Sequence, residues 1–460
     1  MKAGLEVHQQ LAVGKLFCAC PAELTETVTD SFARSLRAAG GESGTVDVAA
    51  ALQASRGLLY RYEAGPSSCL VEMDEEPPHP LNEEALDTAL TLALLLHAHP
   101  VDEVEVMRKI VVDGSNTTGF QRTALIAVDG ELELGGRRYS IPTICLEEDA
   151  ARKIRESPGE VTYRLDRLGI PLVEVATGPE IVSGQEAREV AEEIGALLRA
   201  TKRARRGIGT VREDVNVSIE GGHRIEVKGV QELRMIQEYV EREAARQKLL
   251  LEVRDELRRR NAGVPPVDPL DVTELFRAIV SGPFSGAGRG GQVVLALGLT
   301  GFAGLLRSPP RSEERLGREL ADQARSVGLR GLVHSDELPA YGVSEAIVAA
   351  LRDRLSSGEM DAFVLVTDHT RERARAALNR VARRARAAVE GIPGETRDPL
   401  PDGRTRYSRP LPGRDRMYPE TDIPPIAIRA DRLDRLRAQL PERPAELEAR
   451  LARSHGIPIE

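Results

Sequence analysis

The stretch that most constrains the fold is VREDVNVSI, residues 211–219, in which apolar and polar side chains alternate as in a β-strand. Its apolar positions are Val211, Val215, Val217 and Ile219, and its polar positions are Arg212, Asp214, Asn216 and Ser218. Glu213 is the one acid among the apolar positions. The polar positions could form an ordinary solvated face, but that combination of residue types favours a site. The stretch therefore predicts a sheet with one dry face and one face of functional groups.

Three other stretches that resemble strands carry polar residues at informative positions. GLEVHQQ sets Glu6 beside His8 on one face, and HRIEVKG sets Glu226 beside Lys228. Exposed edge strands carry such pairs routinely, so each pair alone decides little. Glu174 stands inside the apolar run of LDRLGIPLVEV, where an acid without a partner is costly to bury. We therefore expect Glu174 to meet a cation or to face a cleft.

Consecutive acids occur in ICLEEDA, which contains Glu147, Glu148 and Asp149. Carboxylate oxygens with a single imidazole suit Mg²⁺ or Mn²⁺ better than they suit a structural zinc ion. We therefore predict that four residues from separate strands converge on one divalent ion. These residues are Glu6, His8, Glu148 and Glu174.

The segment RKIVVDGSNTTGFQR, residues 108–122, places two basic side chains before a turn rich in Gly, Ser, Asn and Thr. The backbone N–H groups and hydroxyls of such a turn can hold phosphate or carboxylate oxygens. The segment is not a Walker loop, because the GK[ST] ending is absent. An ordinary hairpin turn explains the pattern equally well.

Composition limits the classes of protein to which the chain can belong. Among 460 residues, 41% are apolar and 29% are charged, as in soluble globular proteins. No run approaches the ~20 apolar residues that cross a bilayer, and MKAGLEVH has no signal core, so we expect a cytoplasmic protein. Four cysteines argue against a disulfide scaffold. The net charge of -9 argues against a surface coated for nucleic acid, although basic clusters occur at 201–207, 256–261 and 379–387.

The order of strands and helices predicts an α+β protein in three parts. Residues 1–270 and 400–430 form one large cradle domain, a mostly antiparallel sheet with flanking helices. Residues 271–399 alternate helix and strand with glycine-rich joints and form an inserted α+β domain. Residues 431–460 begin a C-terminal helical region. Two helices of the cradle have predicted N-caps, Asn82 and Ser183.

Seven motifs, in this order along the chain, carry a family resemblance. They are GLEVHQQL, CLVEMDEEPPHPLN, RKIVVDGSNTTGFQRT, LEEDAARK, RLDRLGIPLVEV, VREDVNVSI and MYPETDIPPI. Together they resemble the kinase/transamidase subunits of tRNA-dependent amidotransferases over most of the chain. DGSNTTGFQRT and DEEPPHPLN are more similar to the E subunit of archaeal glutamyl-tRNA(Gln) amidotransferases than to its bacterial relative, the B subunit. The insertion at 271–399 is similar to a module that the archaeal E subunit shares with bacterial aspartyl-tRNA synthetases.

The resemblance implies a ligase of protein biosynthesis that works in two steps. ATP phosphorylates the γ-carboxylate of glutamate misacylated on tRNA(Gln), and ammonia then displaces the phosphate to give glutaminyl-tRNA(Gln). A carboxylate does not accept ammonia at neutral pH, whereas an acyl phosphate has a good leaving group. Phosphoryl transfer of this kind needs a metal ion and precise positioning of ATP.

Carried over by motif, the family's Mg²⁺ or Mn²⁺ site corresponds to the four residues predicted above. The binding surface for ATP and the 3′ end of the tRNA corresponds to a larger set. That set is Arg108, Lys109, Ser115, Asn116, Gln121, Arg212, Asp214, Asn216, Glu226, Lys228 and Tyr418.

The sequence departs from the family pattern in two places. Bacterial relatives carry a four-cysteine zinc knuckle, and here the matching residues are Cys18, Cys20, Cys69 and Glu72. Because one cysteine is replaced by an acid, we expect a vestigial site without zinc. The family also continues into a tail domain that helps to hold tRNA, whereas this chain ends at HGIPIE. We expect a form that lacks the tail, with tRNA binding weakened more than ATP chemistry.

The resemblance also implies partners. No glutaminase signature is found, so ammonia is expected from an asparaginase-like D subunit, in a heterotetramer of two D and two E subunits. Two other functions stay open: a non-catalytic tRNA-binding module, and an ATP-dependent ligase that acts on a free amino acid. The first would retain basic clusters without the acids, and the second would respond to free glutamate.

Overall fold

The computed structural model describes residues 1–41, 44–54, 57–266, 268–288, 290–308, 314–411, 413 and 416–455. The last five residues of the predicted helical region, 456–460, lie outside the described residues, as do a few positions of the predicted cradle and insertion. Within the described part of the chain, no helix has the length and apolarity that a membrane span requires.

Strands and helices alternate irregularly along the chain. The strands are β1 Lys2–Gln10, β2 Asp30–Arg34, β3 Leu59–Ala64, β4 His99–Pro100, β5 Glu103–Val104, β6 Val106–Ile110, β7 Phe120–Leu134, β8 Arg137–Glu148, β9 Arg152–Ser157, β10 Glu160–Arg164, β11 Pro171–Ala176, β12 Val211–Ser218, β13 Ile225–Val230, β14 Leu270–Asp271, β15 Val293–Leu299, β16 Val333–His334, β17 Ala362–Asp368, β18 Glu395–Pro399, β19 Thr405–Pro410, β20 Met417–Pro419 and β21 Ile426–Ala427.

The helices are α1 Val48–Ala54, α2 Glu83–Leu95, α3 Gly184–Ala200, α4 Leu233–Arg259, α5 Ser285–Gly288, α6 Leu316–Arg325, α7 Glu345–Arg354, α8 Arg371–Glu390, α9 Ala430–Ala438 and α10 Pro444–His455. Short 3₁₀ turns lie at Thr273–Phe276 and Ser335–Glu337. The mixture of elements confirms the α+β class.

The chain divides into two compact units. The first unit comprises residues 2–216, 228–238 and 410–460. The second unit comprises Met1, 217–227 and 239–409, and it contains the whole of the predicted insertion. The boundaries predicted for the cradle, the insertion and the C-terminal region stay predictions.

The first unit is built on one large sheet. Its strand order is β12–β1–β11–β8–β7–β6–β20, and β4 pairs with β7 beside this path. Neighbouring strands from β1 to β20 are all antiparallel. Residues 417–427, within the stretch 400–430 that the sequence assigns to the cradle, contribute two short strands: β20 adds to the edge at β6, and β21 pairs with β5.

Two helices cover the dry side of this sheet, and both begin where the sequence predicts. The Asn82 side chain accepts a hydrogen bond from the backbone N–H of Ala85 at 3.0 Å, which caps α2. Ser183 Oγ accepts from the N–H of Glu186 at 3.1 Å, which caps α3. A side-chain cap satisfies one of the N–H groups that a helix start leaves unpaired. Helix α2 packs on β7 and β8, and α3 packs on β1.

A smaller sheet of the first unit has the order β2–β3–β10–β9. Strands β3 and β10 are parallel, with Tyr62 directly opposite Tyr163. The core of this sheet includes three buried tyrosines, at positions 60, 62 and 163. Three tyrosines on one sheet are notable because the whole chain contains only 8 tyrosines and no tryptophan.

The second unit has its own sheet and its own core. The strand order is β14–β15–β17–β16, and every neighbouring pair is antiparallel. Helix α8 packs on β15, β17 and α6, and leucine, valine and alanine side chains fill the space between them. Residues 225–227 of β13 pair in parallel with β18.

A buried network of charged side chains crosses the second unit. Glu319 of α6 lies at its centre and contacts Arg246 of α4, Arg384 of α8 and Arg397 of β18, each at 3.1 Å. All four side chains are at most 5% exposed. Further carboxylates of the network are Glu243 and Glu395. Removing one member of a buried pair leaves an uncompensated charge, so the network should be sensitive to mutation.

We expect the Glu319→Ala substitution to destabilise the second unit, because three buried guanidinium groups lose a shared carboxylate. The free energy of unfolding at neutral pH should fall by about 3–5 kcal/mol. Urea denaturation followed by circular dichroism measures this change. Glu252→Ala, at an exposed position of α4, is the matched control and should change stability by less than about 0.5 kcal/mol. Equal effects of the two variants would contradict a stabilising role for the network.

The pKa of Glu319 sets how this difference depends on pH. Burial alone would raise the pKa, but Arg246, Arg397 and Arg384 outweigh it and hold the pKa of Glu319 well below its ordinary value. The stabilisation is therefore present above the unfolded-state pKa of about 4.3 and is lost as pH falls through the folded-state pKa. The stability gap between wild type and Glu319→Ala should narrow on acidification.

Candidate active site

Three neighbouring strands of the first unit define the frame of the candidate site. In the register of β1 with β11, His8 lies directly opposite Glu174, and Glu6 is two residues from His8. In the register of β11 with β8, Glu174 lies opposite Cys145, and Glu147 is two residues from Cys145. Opposite residues, and residues two apart, point to the same face of a sheet. These five side chains therefore share one face, which we call the working face.

The contact between His8 and Glu174 lies at the centre of the working face. The distance from His8 Nε2 to Glu174 Oε2 is 3.3 Å. Burial would lower the pKa of His8, but the hydrogen bond and charge of Glu174 outweigh it and raise that pKa. Burial would raise the pKa of Glu174, but His8 outweighs it and lowers that pKa to about 2. Glu174 thus has a polar partner despite its apolar neighbours, and its predicted place at a metal ion stays a prediction.

Glu147 is the third member of this cluster. One ligand atom from each of His8, Glu147 and Glu174 lies within 4.8 Å of the others. Lys109 Nζ forms an ion pair with Glu147, and Gln121 Nε2 donates to Glu147 Oε2 at 3.2 Å. The structure thus brings Lys109 and Gln121, both predicted from the sequence, to the acid cluster.

Glu148 lies on the opposite face of the sheet, because successive residues of a strand alternate. Its Oε1 accepts a hydrogen bond from the backbone N–H of Arg122 at 2.9 Å, and its Oε2 lies 3.6 Å from Arg122 Nη1. Burial raises the pKa of Glu148 by more than Arg122 lowers it. This corrects the predicted placement of Glu148 beside His8 and Glu174, since β8 delivers Glu147 to that position.

A second polar group lies where β1 and β12 meet. Carboxylate oxygens of Glu6 and Asp214 lie within 4.8 Å of each other, and Asn216 Nδ2 donates to Glu6 Oε1 at 3.2 Å. Asp214 accepts hydrogen bonds from Lys228 Nζ at 2.6 Å and from the Gly229 N–H at 2.7 Å. Burial alone would raise the pKa of Asp214, but Lys228 and other donors hold it well below its ordinary value. Glu6 therefore sits with Asp214, on the β12 side of the working face.

Strand β12 has the predicted two faces. Arg212 Nη1 donates to Asp149 Oδ1 at 3.1 Å, and Gln10 Nε2 donates to Asp149 Oδ2 at 2.6 Å. Burial would lower the pKa of Arg212, but Asp149 and Asp214 outweigh it and raise that pKa. Glu213 points to the dry side, where burial raises its pKa to about 7. Among the described residues, neither carboxylate oxygen of Glu213 has a hydrogen-bond partner.

The face opposite the working face holds Arg108 and Tyr418, which the sequence analysis expected at the ligand. Arg108 Nη2 donates to Glu420, and Arg122 Nε donates to Glu420 Oε2 at 2.8 Å. The Arg108 guanidinium also stacks 4.7 Å above the Phe120 ring and 5.8 Å from the Tyr418 ring. These contacts fix β20 to β6, and Arg122 and Glu420 were missed because each looks like an ordinary surface charge in the sequence.

Ser115 and Asn116 lie in the loop between β6 and β7. Asp113 Oδ1 accepts hydrogen bonds from the Ser115 N–H at 2.9 Å and from its hydroxyl at 2.6 Å, which forms a tight turn. Asn116 is 2% exposed, and its Nδ2 has no hydrogen-bond partner among the described residues. A buried amide without a partner is costly, so this loop is suited to a ligand.

Glu226 belongs to the second unit. Thr396 Oγ1 donates to Glu226 Oε2 at 2.9 Å there. The role of Glu226 at the ligand, predicted from the resemblance, stays a prediction.

The cysteine cluster is assembled as the sequence suggests. One ligand atom from each of Cys18, Cys20, Cys69 and Glu72 lies within 4.8 Å of the others. Glu72 accepts hydrogen bonds from the Cys18 thiol at 2.9 Å and from the Cys69 N–H at 2.8 Å. The fully buried Lys15 Nζ lies 3.6 Å from Glu72 Oε1. Lys15 already places a positive charge beside this cluster, and a zinc ion would add to it.

We expect a double variant, Lys15→Met with Glu72→Cys, to gain zinc, because it removes the competing charge and completes four thiol ligands. Elemental analysis of the purified protein should give about one zinc per chain for this variant and far less for wild type. Stoichiometric zinc in the wild-type protein would contradict the prediction that the site is vestigial.

Residues 1–434 match the family model of the GatB/GatE catalytic domain. The chain therefore belongs to the GatB/GatE family, and the family resemblance seen in the seven motifs is confirmed.

Relatives in three archaea share half of its residues, and each is named as the E subunit of glutamyl-tRNA(Gln) amidotransferase. The protein of Thermococcus gammatolerans is 50% identical over 462 residues, which cover 99% of this chain and 73% of the relative. The protein of Methanothermobacter thermautotrophicus is 50% identical over 460 residues, with coverage of 99% and 73%. The protein of Pyrococcus abyssi is 50% identical over 462 residues, with coverage of 99% and 72%.

Proposed function

We propose that this chain is the catalytic subunit of an ATP-dependent ligase that converts glutamyl-tRNA(Gln) to glutaminyl-tRNA(Gln). Family membership and relatives that carry the name of this activity support the proposal. The observation that carries it is the meeting of His8, Glu147 and Glu174, whose ligand atoms lie within 4.8 Å of one another, with Lys109 alongside. A tRNA-binding module without catalysis has no need of such a cluster.

The donor set fits a hard divalent cation, Mg²⁺ or Mn²⁺. His8, Glu147 and Glu174 would hold it, in place of the set with Glu6 and Glu148 that the sequence suggested. A bound cation of this kind neutralises phosphate charge and orients ATP for in-line transfer. Glu6 and Asp214 provide further carboxylate oxygens on the same face.

The proposed reaction has two steps. A γ-carboxylate oxygen of the glutamyl group bonds to the γ-phosphorus of ATP, and ADP leaves. The nitrogen of ammonia then bonds to the acyl carbon, inorganic phosphate leaves, and the nitrogen loses a proton. Lys109 and Arg212 supply fixed positive charge for the phosphate oxygens, and Asn116 supplies a hydrogen-bond donor. Ser115 shapes the loop beside it through its two hydrogen bonds to Asp113. Gln121 orients Glu147, with which it shares a hydrogen bond.

Other residues of the predicted ligand surface act less directly in this proposal. Lys228 and Asn216 hold the carboxylates of Asp214 and Glu6 in place. Arg108 and Tyr418 secure the edge of the sheet from its opposite face.

The partners belong to the same proposal. An asparaginase-like D subunit would supply the ammonia, in a cytoplasmic assembly of two D and two E subunits. The α+β domain at 271–399 would be the module similar to that of bacterial aspartyl-tRNA synthetases. The cysteine cluster would hold no zinc.

We expect Glu174→Ala to lower tRNA-stimulated ATP hydrolysis at least about a hundredfold, because both the metal site and the partner of His8 are lost. Binding of tRNA should stay within about threefold of wild type, since no phosphate contact is removed. Glu23→Ala, at an exposed position of the first unit, is the control and should behave as wild type. Hydrolysis that survives in Glu174→Ala would favour the non-catalytic module. Stimulation by free glutamate in place of glutamyl-tRNA would favour the free amino acid ligase.

We expect Glu147→Gln to weaken Mn²⁺ binding about ten- to a hundredfold, because a charged ligand becomes a neutral amide of the same shape. Glu148→Gln is the matched control and should leave Mn²⁺ affinity within about twofold, since Glu148 lies on the opposite face. Titration of Mn²⁺ by electron paramagnetic resonance measures both affinities. Weakened Mn²⁺ binding in Glu148→Gln, with unchanged binding in Glu147→Gln, would instead identify Glu148 as the metal ligand.

A further inference from the structure

Three tyrosine hydroxyls hold consecutive main-chain carbonyls of the loop between β6 and β7. The hydrogen bonds run from Tyr60 to the Val112 carbonyl (3.1 Å), from Tyr163 to the Asp113 carbonyl (2.9 Å) and from Tyr62 to the Gly114 carbonyl (2.9 Å). All three tyrosines are at most 8% exposed. A buried Tyr hydroxyl usually has a hydrogen-bond partner. Here three such hydroxyls bind the carbonyls of three consecutive residues, 112–114, of one loop.

The next three carbonyls of the loop are occupied as well. The hydrogen bonds run from the Ala151 N–H to the Ser115 carbonyl (2.8 Å), from the Gly119 N–H to the Asn116 carbonyl (3.1 Å) and from Arg34 Nη1 to the Thr117 carbonyl (3.4 Å). Six consecutive acceptors, at residues 112–117, therefore have donors.

Several hydrogen-bond donors of the same loop, by contrast, have no acceptor among the described residues. Within the part of the chain that the structure describes, the main-chain N–H groups of Gly114, Asn116 and Thr117 find no acceptor. All three residues are buried, and Asn116 Nδ2 also has no partner. Buried N–H groups are rarely left unpaired, because burial removes their hydrogen bonds to water without replacing them. Ser115 is the exception, because its N–H and its hydroxyl both donate to Asp113 Oδ1. The loop thus has its acceptors filled and the donors of Gly114, Asn116 and Thr117 open, which suits a negatively charged ligand.

The small sheet holds the loop in this state. Tyr60 and Tyr62 are two residues apart on β3 and share one face of the small sheet, and Tyr163 lies directly opposite Tyr62. The Tyr163 ring therefore packs against both, with centroid distances of 6.4 Å to Tyr60 and 6.2 Å to Tyr62. Gly114 has φ +85, and a Cβ there would lie 2.1 Å from the Tyr60 ring. Only glycine allows both this backbone conformation and this close approach.

We propose that residues 114–117 form an oxyanion-binding loop, in which the main-chain N–H groups of Gly114, Asn116 and Thr117 and the Asn116 amide bind a phosphate or carboxylate group of substrate, and that Tyr60, Tyr62 and Tyr163 are positioning residues for it. The inference rests on the proposed function, in which ATP supplies a phosphate and the glutamyl group supplies a carboxylate. Neutral backbone donors bind such groups as nests do in other anion sites.

Tyr62→Phe tests the positioning role, because it removes one oxygen and frees the Gly114 carbonyl to turn toward the ligand. We expect KM to rise about five- to tenfold with kcat within about twofold. A rise in KM for ATP identifies the ligand as phosphate, and a rise in KM for glutamyl-tRNA identifies it as carboxylate. Tyr239→Phe is the matched control, since it removes a similar hydroxyl bond to the Leu400 carbonyl (2.7 Å) in the second unit. It should leave both KM values unchanged.

Asn116→Asp tests the ligand site itself, because an acceptor-only carboxylate replaces the amide donor and repels an oxyanion. We expect the same KM to rise about a hundredfold, and to rise less in Asn116→Ala. If Tyr62→Phe lowers the melting temperature while both KM values stay at wild type in Tyr62→Phe and Asn116→Asp, the tyrosines are only structural and the inference is overturned.

Amide hydrogen exchange of residues 112–119 gives a readout that does not need the amidation reaction. We expect inorganic pyrophosphate, MgATP or glutamyl-tRNA to slow exchange in wild type and to have no effect in Asn116→Asp. Slowed exchange in a protein that does not amidate glutamyl-tRNA would sustain the loop inference while the proposed function fails. Amidation without slowed exchange under any of the three ligands would overturn the loop inference alone.

Discussion

The register of β1 against β11 is the constraint on which the candidate site depends. It places His8 opposite Glu174, two groups that are both costly to bury alone and that satisfy each other. A slip of one residue would turn one of the two side chains to the dry side of the sheet, where the apolar faces of α2 and α3 pack. The dry alternation on both strands, with Leu5, Val7 and Val173 buried, prevents that slip. Packing of the apolar face therefore determines which polar side chains meet on the other face.

Strand alternation also explains how much of the site the sequence could predict. A period of two is visible in GLEVHQQ and VREDVNVSI, and the need of Glu174 for a partner follows from its apolar neighbours. The two consecutive acids at the end of β8 carry no such information, because alternation says that Glu147 and Glu148 differ in face without saying which of them faces His8. The pairing of Cys145 with Glu174 decides it, and pairing between distant strands has no local signal.

The residues on the opposite face were unpredictable for a related reason. Arg108 looks like a ligand for phosphate until Glu420 is placed between it and Arg122. Glu420 comes from a turn-like segment near the end of the chain, and only the edge strand β20 brings it to β6. Two long-range pairings decide the role of Arg108: β20 pairs with β6, and Glu420 binds both Arg108 and Arg122. Arg108 therefore holds the edge of the sheet together. The sheet is therefore not complete until residues 417–420 have joined it.

Charge balance on the working face determines which kinds of donor can serve a ligand there. Four acid–base pairs occupy it: Glu174 with His8, Glu147 with Lys109, Asp214 with Lys228 and Asp149 with Arg212. A triphosphate would add several negative charges to this balanced surface, so it needs a cation that arrives with it. Hydrogen-bond donors that carry no net charge can bind phosphate oxygens without changing the charge balance of this face. The N–H groups of the loop held by the tyrosines add hydrogen bonds without adding another ion to be compensated, which suits a site whose ionic groups are already paired.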